Sequence, residues 1–146
     1  MVLFLGTEAA LDTTGWSEEA PAFYVGEPEE REASVRKHFN TSRVYYLGSH
    51  TGCGCGYEFG QDPAWYDWAA SDPEAADADP DGPTSRQSLA ALLRSLVDAG
   101  HPVELYALWS GDEDTPPDHR SRIRPEAVLD PATVLEGHHL VVTDTS

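Results

Sequence analysis

Lysine is nearly absent from this chain, with Lys37 as the single example in 146 residues. Lys and Arg together number 9 against 26 Asp and Glu, which gives a formal net charge of -17. A surface this negative repels nucleic-acid phosphates and anionic lipid, so we expect no nucleic-acid partner. High-salt adaptation and a codon bias towards Arg and Ala both explain the composition, and mimicry of nucleic acid is a third explanation.

Long apolar runs are also missing. The apolar start at 2–5 is short and lacks the basic residues that precede the apolar core of a secretory signal. No other stretch approaches the roughly 20 apolar residues that a membrane span needs. We therefore expect a soluble, cytoplasmic protein with no membrane partner.

Cysteine is scarce, and both examples, Cys53 and Cys55, lie two residues apart. Two cysteines in a cytosolic chain favour reduced thiols or a bound metal over a disulfide framework. The chain also lacks a glycine-rich phosphate loop between a strand and a helix, a G-x-S-x-G elbow and an H-E-x-x-H helix. No nucleotide site is therefore expected, and the sequence leaves open whether the protein is an enzyme.

The remaining pattern predicts a single α+β domain over 1–146, with a mixed α/β arrangement as the variant. We expect about five strands, with two or three helices packed on the sheet. Apolar runs bounded by turn residues predict these strands at 1–6, 22–25, 43–50, 103–109 and 139–143. Trp109, at the end of a strand, is expected in the core.

Two helices are predicted from spacing and from charge. Leu89, Leu92, Leu93, Leu96 and Val97 form one apolar stripe of a helix over 85–99 that ends at Gly100. Acids in the first turn and bases in the last turn predict a helix over 29–39 that faces the core through Val35 and Phe39. The path from strand 43–50 through helix 85–99 to strand 103–109 predicts a parallel crossover.

Two further segments are predicted between strand 43–50 and helix 85–99. Asp62 and Pro63 begin a short helix that carries Trp65, Tyr66 and Trp68. The stretch 71–83 is dense in Asp, Ala and Pro, which is typical of a mobile acidic loop. Farther along, the alternating trio Arg120, Arg122 and Arg124 is interpreted as a solvated edge, with binding of one anion as the alternative.

The most informative stretch runs from Gly52 to Gly60. Cysteines and aromatic residues alternate in it with Gly52, Gly54 and Gly56, so an extended strand would carry all soft side chains on one face. Its other face would be nearly bare backbone, open to a ring, a ligand or another strand. We predict a hairpin that turns near Thr51 and returns as a strand over 53–59.

Our first hypothesis is a binding module at this hairpin, with a metal or a ligand. His50, Cys53 and Cys55 supply imidazole and thiolates, the ligands that zinc prefers, and a distant histidine would be the fourth. The candidates for that fourth ligand are His38, His101, His119, His138 and His139. For a ligand site, the expected residues are Gly52, Gly54, Gly56, Tyr57, Trp65 and Trp68.

Two other functions, and one purely structural interpretation, compete with this hypothesis. Cys53 or Cys55 is the thiol of a redox or nucleophilic enzyme, with His50 lowering its pKa. Alternatively, Trp65, Tyr66 and Trp68 beside the acidic loop form a surface for a protein partner. The structural interpretation treats both cysteines as small buried side chains and the glycines as room for rings. Glu58 is a candidate carboxylate beside the thiols.

Overall fold

The computed structural model describes residues 1–59 and 81–144, which form a six-stranded mixed sheet with one α-helix and three 3-10 helices. The strands are β1 (Val2–Thr7), β2 (Tyr24–Gly26), β3 (Arg43–Gly48), β4 (Val103–Leu108), β5 (His119–Ile123) and β6 (His138–Val142). The helices are α1 (Asp81–Asp98) and the 3-10 helices η1 (Glu30–His38), η2 (Gly54–Tyr57) and η3 (Pro125–Leu129). The predicted α+β class is confirmed.

The sheet has the order β2-β3-β1-β4-β6-β5, with β1 near its centre. Strand β1 is antiparallel to both β3 and β4, so these two strands run parallel to each other on either side of it. The chain passes from β3 to β4 through α1, which confirms the predicted crossover and adds that β1 lies between its strands. At one end of the sheet, β5 pairs with β6 in parallel.

The main core fills the face of the sheet that α1 covers. The apolar stripe of α1 contributes Leu89, Leu93 and Leu96, all buried, as its 3.6-residue spacing predicts. The helix ends at Gly100, whose φ is +84°, and His101 N–H donates to Leu96 C=O at 3.0 Å. A glycine adopts this left-handed conformation without steric cost and so closes the helix.

A second core lies on the opposite face, under η1. The predicted helix over 29–39 is a 3-10 helix, and Val35 and Phe39 are buried as expected. Phe39 packs directly over Gly6 of β1, where a Cβ atom would overlap its ring. The small residue at Gly6 therefore lets η1 and the following segment approach the sheet closely.

Four details differ from the sequence predictions. The return strand over 53–59 does not form, because residues 54–57 adopt the 3-10 helix η2 instead. Helix α1 begins at Asp81, so residues 81–83 of the predicted acidic loop belong to its first turn. Strand β5 was not predicted, since its alternating arginines gave no apolar signal. Trp109 is 56% exposed, because β4 ends one residue before it.

Candidate functional site

The glycine–cysteine segment forms a tight loop rather than a hairpin. Directly after β3, Ser49 N–H donates to the Cys53 carbonyl at 3.1 Å and Ser49 Oγ donates to the same oxygen at 2.5 Å. Gly52 N–H donates back to the Ser49 carbonyl at 3.0 Å. Gly52 has a φ of +87°, which favours glycine, so the loop closes on itself within five residues.

Close approach to the glycines, as the sequence indicated, is found at all three positions. The ring of Trp16 lies against Gly52, and the backbone at Met1 lies against Gly54. Gly56 faces Ser49, Thr51 and His50, where an added Cβ atom would be 2.9 Å from His50 Cε1. The glycines are therefore required by packing between the loop, the Trp16 ring and the start of β1.

His50 connects this loop to α1. Its Nδ1 lies 2.8 Å from Ser85 Oγ, and its backbone N–H donates to the same oxygen at 3.2 Å. The His50 carbonyl accepts a hydrogen bond from Trp16 Nε1 at 2.8 Å. Both His50 and Ser85 are buried. His50 is thus a junction between the loop, the helix and the segment that carries Trp16.

The predicted metal ligands His50, Cys53 and Cys55 are only partly described. Cys53 is half-buried, with Sγ 3.5 Å from Thr51 Oγ1, and the Cys55 side chain lies outside the description. Among the described side chains, no group of three His, Cys, Asp or Glu is arranged to hold a metal ion. The zinc site and the reactive thiol both stay predictions, and one imidazole nitrogen of His50 is already engaged by Ser85.

Two tyrosines converge on the carbonyl of Gly52. Tyr24 Oη donates to this oxygen at 3.0 Å and Tyr46 Oη donates to it at 3.2 Å. The two rings are 6.1 Å apart at an interplanar angle of 38°. They form one wall of a cleft of about 250 Å³, which we call the tyrosine–glutamate cleft.

Three carboxylic residues, Glu27, Glu29 and Glu32, also line this cleft, and the rest of its lining is uncharged (Val2, Thr14, Gly15, Gly26 and Gly52). Glu29 and Glu32 form a reciprocal capping box at the start of η1, in which Glu32 Oε1 accepts from Glu29 N–H at 2.9 Å. Glu32 is buried and Glu27 is exposed. The cap fixes two of the three acids in place, so the cleft combines preset negative charge with aromatic walls.

The hydroxyls of Tyr24 and Tyr57 are held in their protonated form. Burial, followed by the negative charge of Cys53, Glu32 and Glu29, raises the pKa of Tyr24. Tyr57 is fully buried, and burial raises its pKa well above the ordinary value, with Tyr46, Tyr24 and Cys53 adding to the effect. Within the described residues, the Tyr57 hydroxyl has no hydrogen-bond partner. Tyr24 and Tyr57 are therefore neutral at physiological pH, and the Tyr24 hydroxyl is the donor to the Gly52 carbonyl.

Glu58 lies on the helix side of the loop, away from the cleft residues. Its φ is +60°, and its carboxylate is 3.7 Å from Arg86 Nη1 in a largely buried ion pair. The same carboxylate packs against Gly82 in the first turn of α1, where the helix dipole favours negative charge. Arg86 also donates to the Tyr57 carbonyl at 2.7 Å. Glu58 therefore anchors the loop to α1.

A second buried polar cluster occupies the face of the sheet under η1. The Glu104 carboxylate accepts from Asn40 N–H at 2.9 Å, from Thr41 N–H at 3.2 Å and from Asn40 Nδ2 at 3.2 Å. Its Oε1 lies 3.1 Å from His139 Nε2, although this pair is not aligned as a regular hydrogen bond. Burial alone would raise the pKa of Glu104, but the contact with His139 and the donors of Asn40 lower it.

One of the ligand residues predicted from the sequence lies at the tyrosine–glutamate cleft. Gly52 borders the cleft, whereas Gly54, Gly56 and Tyr57 lie behind it in the packed loop. Tyr24 and Glu27 were not considered as ligand residues, and Glu29 and Glu32 were interpreted through the helix dipole alone. The predicted helix and surface of Trp65, Tyr66 and Trp68, together with residues 71–80 of the acidic loop, lie outside the described residues.

Comparison with protein-family models, with characterised proteins and with solved structures gave no match. Within residues 1–59 and 81–144, no helix is both long enough and apolar enough to cross a membrane.

Proposed function

We propose that this protein is a binding module for a small organic cation, an ammonium or guanidinium group held in the tyrosine–glutamate cleft. The observation that carries the proposal is the pairing of the two rings, Tyr24 and Tyr46, with the acids Glu27, Glu29 and Glu32 around one cavity. The sequence predicts a binding module with a metal or a ligand at a hairpin. We keep the ligand and place its site in a cleft beside Gly52.

The chemistry of the walls suits a cation of this kind. The faces of aromatic rings attract cations, by about 0.5–1 kcal/mol at exposed sites and about 2 kcal/mol when water is removed. Carboxylates add a Coulombic attraction of about 1–4 kcal/mol at 4 Å, between the limits of water and of a protein surface. The net charge of -17 also concentrates cations near the whole surface.

Size and ligand geometry favour an organic cation over a bare metal ion. The cleft of about 250 Å³ has the volume of roughly eight water molecules at ~30 Å³ each. The described carboxylates do not come together as a set of metal ligands. A flat guanidinium or a short alkylammonium matches both the volume and the mixture of rings and acids.

Calorimetric titration with n-butylguanidinium and n-butylammonium tests the proposal, with neutral n-butylurea as the control ligand. Glu27→Gln removes one charge from the cleft at an exposed position and should weaken binding about fivefold, equivalent to about 1 kcal/mol. Tyr46→Leu removes one ring and should weaken binding by a similar factor. Glu30→Gln is the matched control, because Glu30 is an exposed acid of η1 that does not line the cleft.

Equal affinity for n-butylurea and n-butylguanidinium would contradict the proposal, because charge would then play no part. Equal losses in Glu27→Gln and Glu30→Gln would also contradict it, since the attraction would belong to the whole acidic surface and not to the cleft.

A further inference from the structure

Within residues 1–59 and 81–144, the edge of the sheet formed by β5 has backbone groups with no hydrogen-bond partner. His119 N–H donates to the Gly137 carbonyl at 3.4 Å, and the Ile123 carbonyl accepts from Thr143 N–H at 2.9 Å, so these residues face β6. Backbone groups alternate in direction along a strand, so Arg120 and Arg122 direct their N–H and C=O groups away from the sheet. β5 is also the longer edge, with five residues against three in β2.

The side chains along this edge carry positive charge. Arg120 pairs with His139 and Arg122 pairs with Val141, so both arginines lie on the same face of the sheet. Both are exposed, and neither forms an ion pair within the described part of the chain. The nearby Asp118 carboxylate packs against Gly137, on the β6 side. The edge is therefore a basic strip on a strongly acidic protein.

We propose that the β5 edge binds an acidic segment of a partner protein, which adds to the sheet as an extra strand. Main-chain hydrogen bonds from Arg120 and Arg122 would give affinity, as in other cases of strand addition. Side chains two residues apart on the added strand would share a face with the arginines, so the segment should carry carboxylates at positions i and i+2.

The positive charge of the β5 edge favours binding of an acidic segment over binding of a second copy of the chain. A second β5 edge would bring its own arginines against Arg120 and Arg122, and like charges opposite each other destabilise strand pairing. Charged residues are also a common protection against edge-to-edge association of identical sheets. The same arginines attract a strand of opposite charge. The residues of the β5 edge are separate from those of the tyrosine–glutamate cleft, so the two binding sites can be tested independently.

The test is fluorescence anisotropy with a labelled peptide of sequence TETETET, capped at both ends, and with TQTQTQT as its neutral control. Arg122→Gln removes one charge and should weaken binding about two- to fivefold, as expected for an exposed ion pair. Arg122→Pro removes an outward N–H but no hydrogen bond to β6, and proline is tolerated at such edge positions. Arg122→Pro should weaken peptide binding at least as much as Arg122→Gln does. Arg36→Gln, an exposed arginine of η1, is the matched control.

Hydrogen exchange on the unaltered protein gives a second readout that does not depend on any variant folding. Bound TETETET should slow amide exchange at Arg120 and Arg122, while TQTQTQT at the same concentration should slow it much less. Equal binding of both peptides, or unchanged exchange at these two amides in saturating TETETET, would overturn the proposal. So would a concentration-dependent dimer that protects the same amides without peptide.

Discussion

The contribution of the buried Glu104 carboxylate to the stability of the fold can be measured by a single substitution. The change Glu104→Gln keeps the shape of the side chain but removes its charge and replaces one acceptor oxygen by a donor. Glu104 is 4% exposed and accepts three hydrogen bonds from Asn40 and Thr41, beside His139 at 1% exposed. These bonds hold the segment between η1 and β3 against β4.

The expected loss of stability in Glu104→Gln follows from the number and type of these hydrogen bonds. Hydrogen bonds to charged groups contribute about 1.5–3 kcal/mol each, and the Glu104 carboxylate accepts three of them. Because the amide of Gln retains one acceptor, we expect a loss of about 3 kcal/mol in the free energy of unfolding at pH 7. Urea denaturation measures it, with Glu30→Gln, an exposed acid of η1, as the control at about zero.

The pH dependence has a definite sign. The folded pKa of Glu104 lies below its unfolded value of about 4.3, so the carboxylate stabilises the fold above that pH. This stabilisation is lost as the pH falls through the folded pKa. The gap between wild type and Glu104→Gln should therefore be widest near neutral pH and shrink below about pH 4. A gap under 0.5 kcal/mol at pH 7, or one that grows on acidification, would show that the Glu104 charge does not stabilise the fold.

Two substitutions test the packing of the loop and of the core. Gly56→Ala should cost about 1–3 kcal/mol by forcing a Cβ atom against Ser49, Thr51 and His50, whereas Gly15→Ala, with open space around it, should cost little. Equal urea midpoints for these two variants would show that the loop is not tightly packed. Leu93→Ala, in the fully buried stripe of α1, should cost about 2–5 kcal/mol by the same measurement, against under 1 kcal/mol for half-exposed Leu135→Ala. Similar losses at the two leucines would contradict the assigned core.

Patterns that depend on local chemistry were predictable from the sequence. The leucine stripe of α1 and its glycine end were predicted because burial on one helix face imposes a 3.6-residue period. The apolar strands β1, β3 and β4 were predicted for the same kind of reason, because they are buried along nearly their whole length. Alternation along β6 lets only one of the neighbouring residues His138 and His139 point inward, and it is His139.

The errors occurred where long-range contacts decide the local structure. The alternating pattern after Gly52 has the period of a strand, but the approach of Trp16 and of the start of β1 bends it into a tight loop and the helix η2. Strand β5 is polar because it is an edge, so it has no apolar signal to recognise. The tyrosine–glutamate cleft joins β2, β3, the start of η1 and Gly52, which no local pattern connects.

An NMR titration shows where on the protein an organic cation binds. Adding n-butylguanidinium to ¹⁵N-labelled protein should shift amides around the cleft first and most, at Tyr24, Glu27, Glu29, Tyr46 and Gly52. n-Butylurea at the same concentration should leave these amides in place. We predict saturable shifts that are confined to those positions. Shifts that are spread over the acidic surface without saturation, or that centre on another part of the fold, would contradict it.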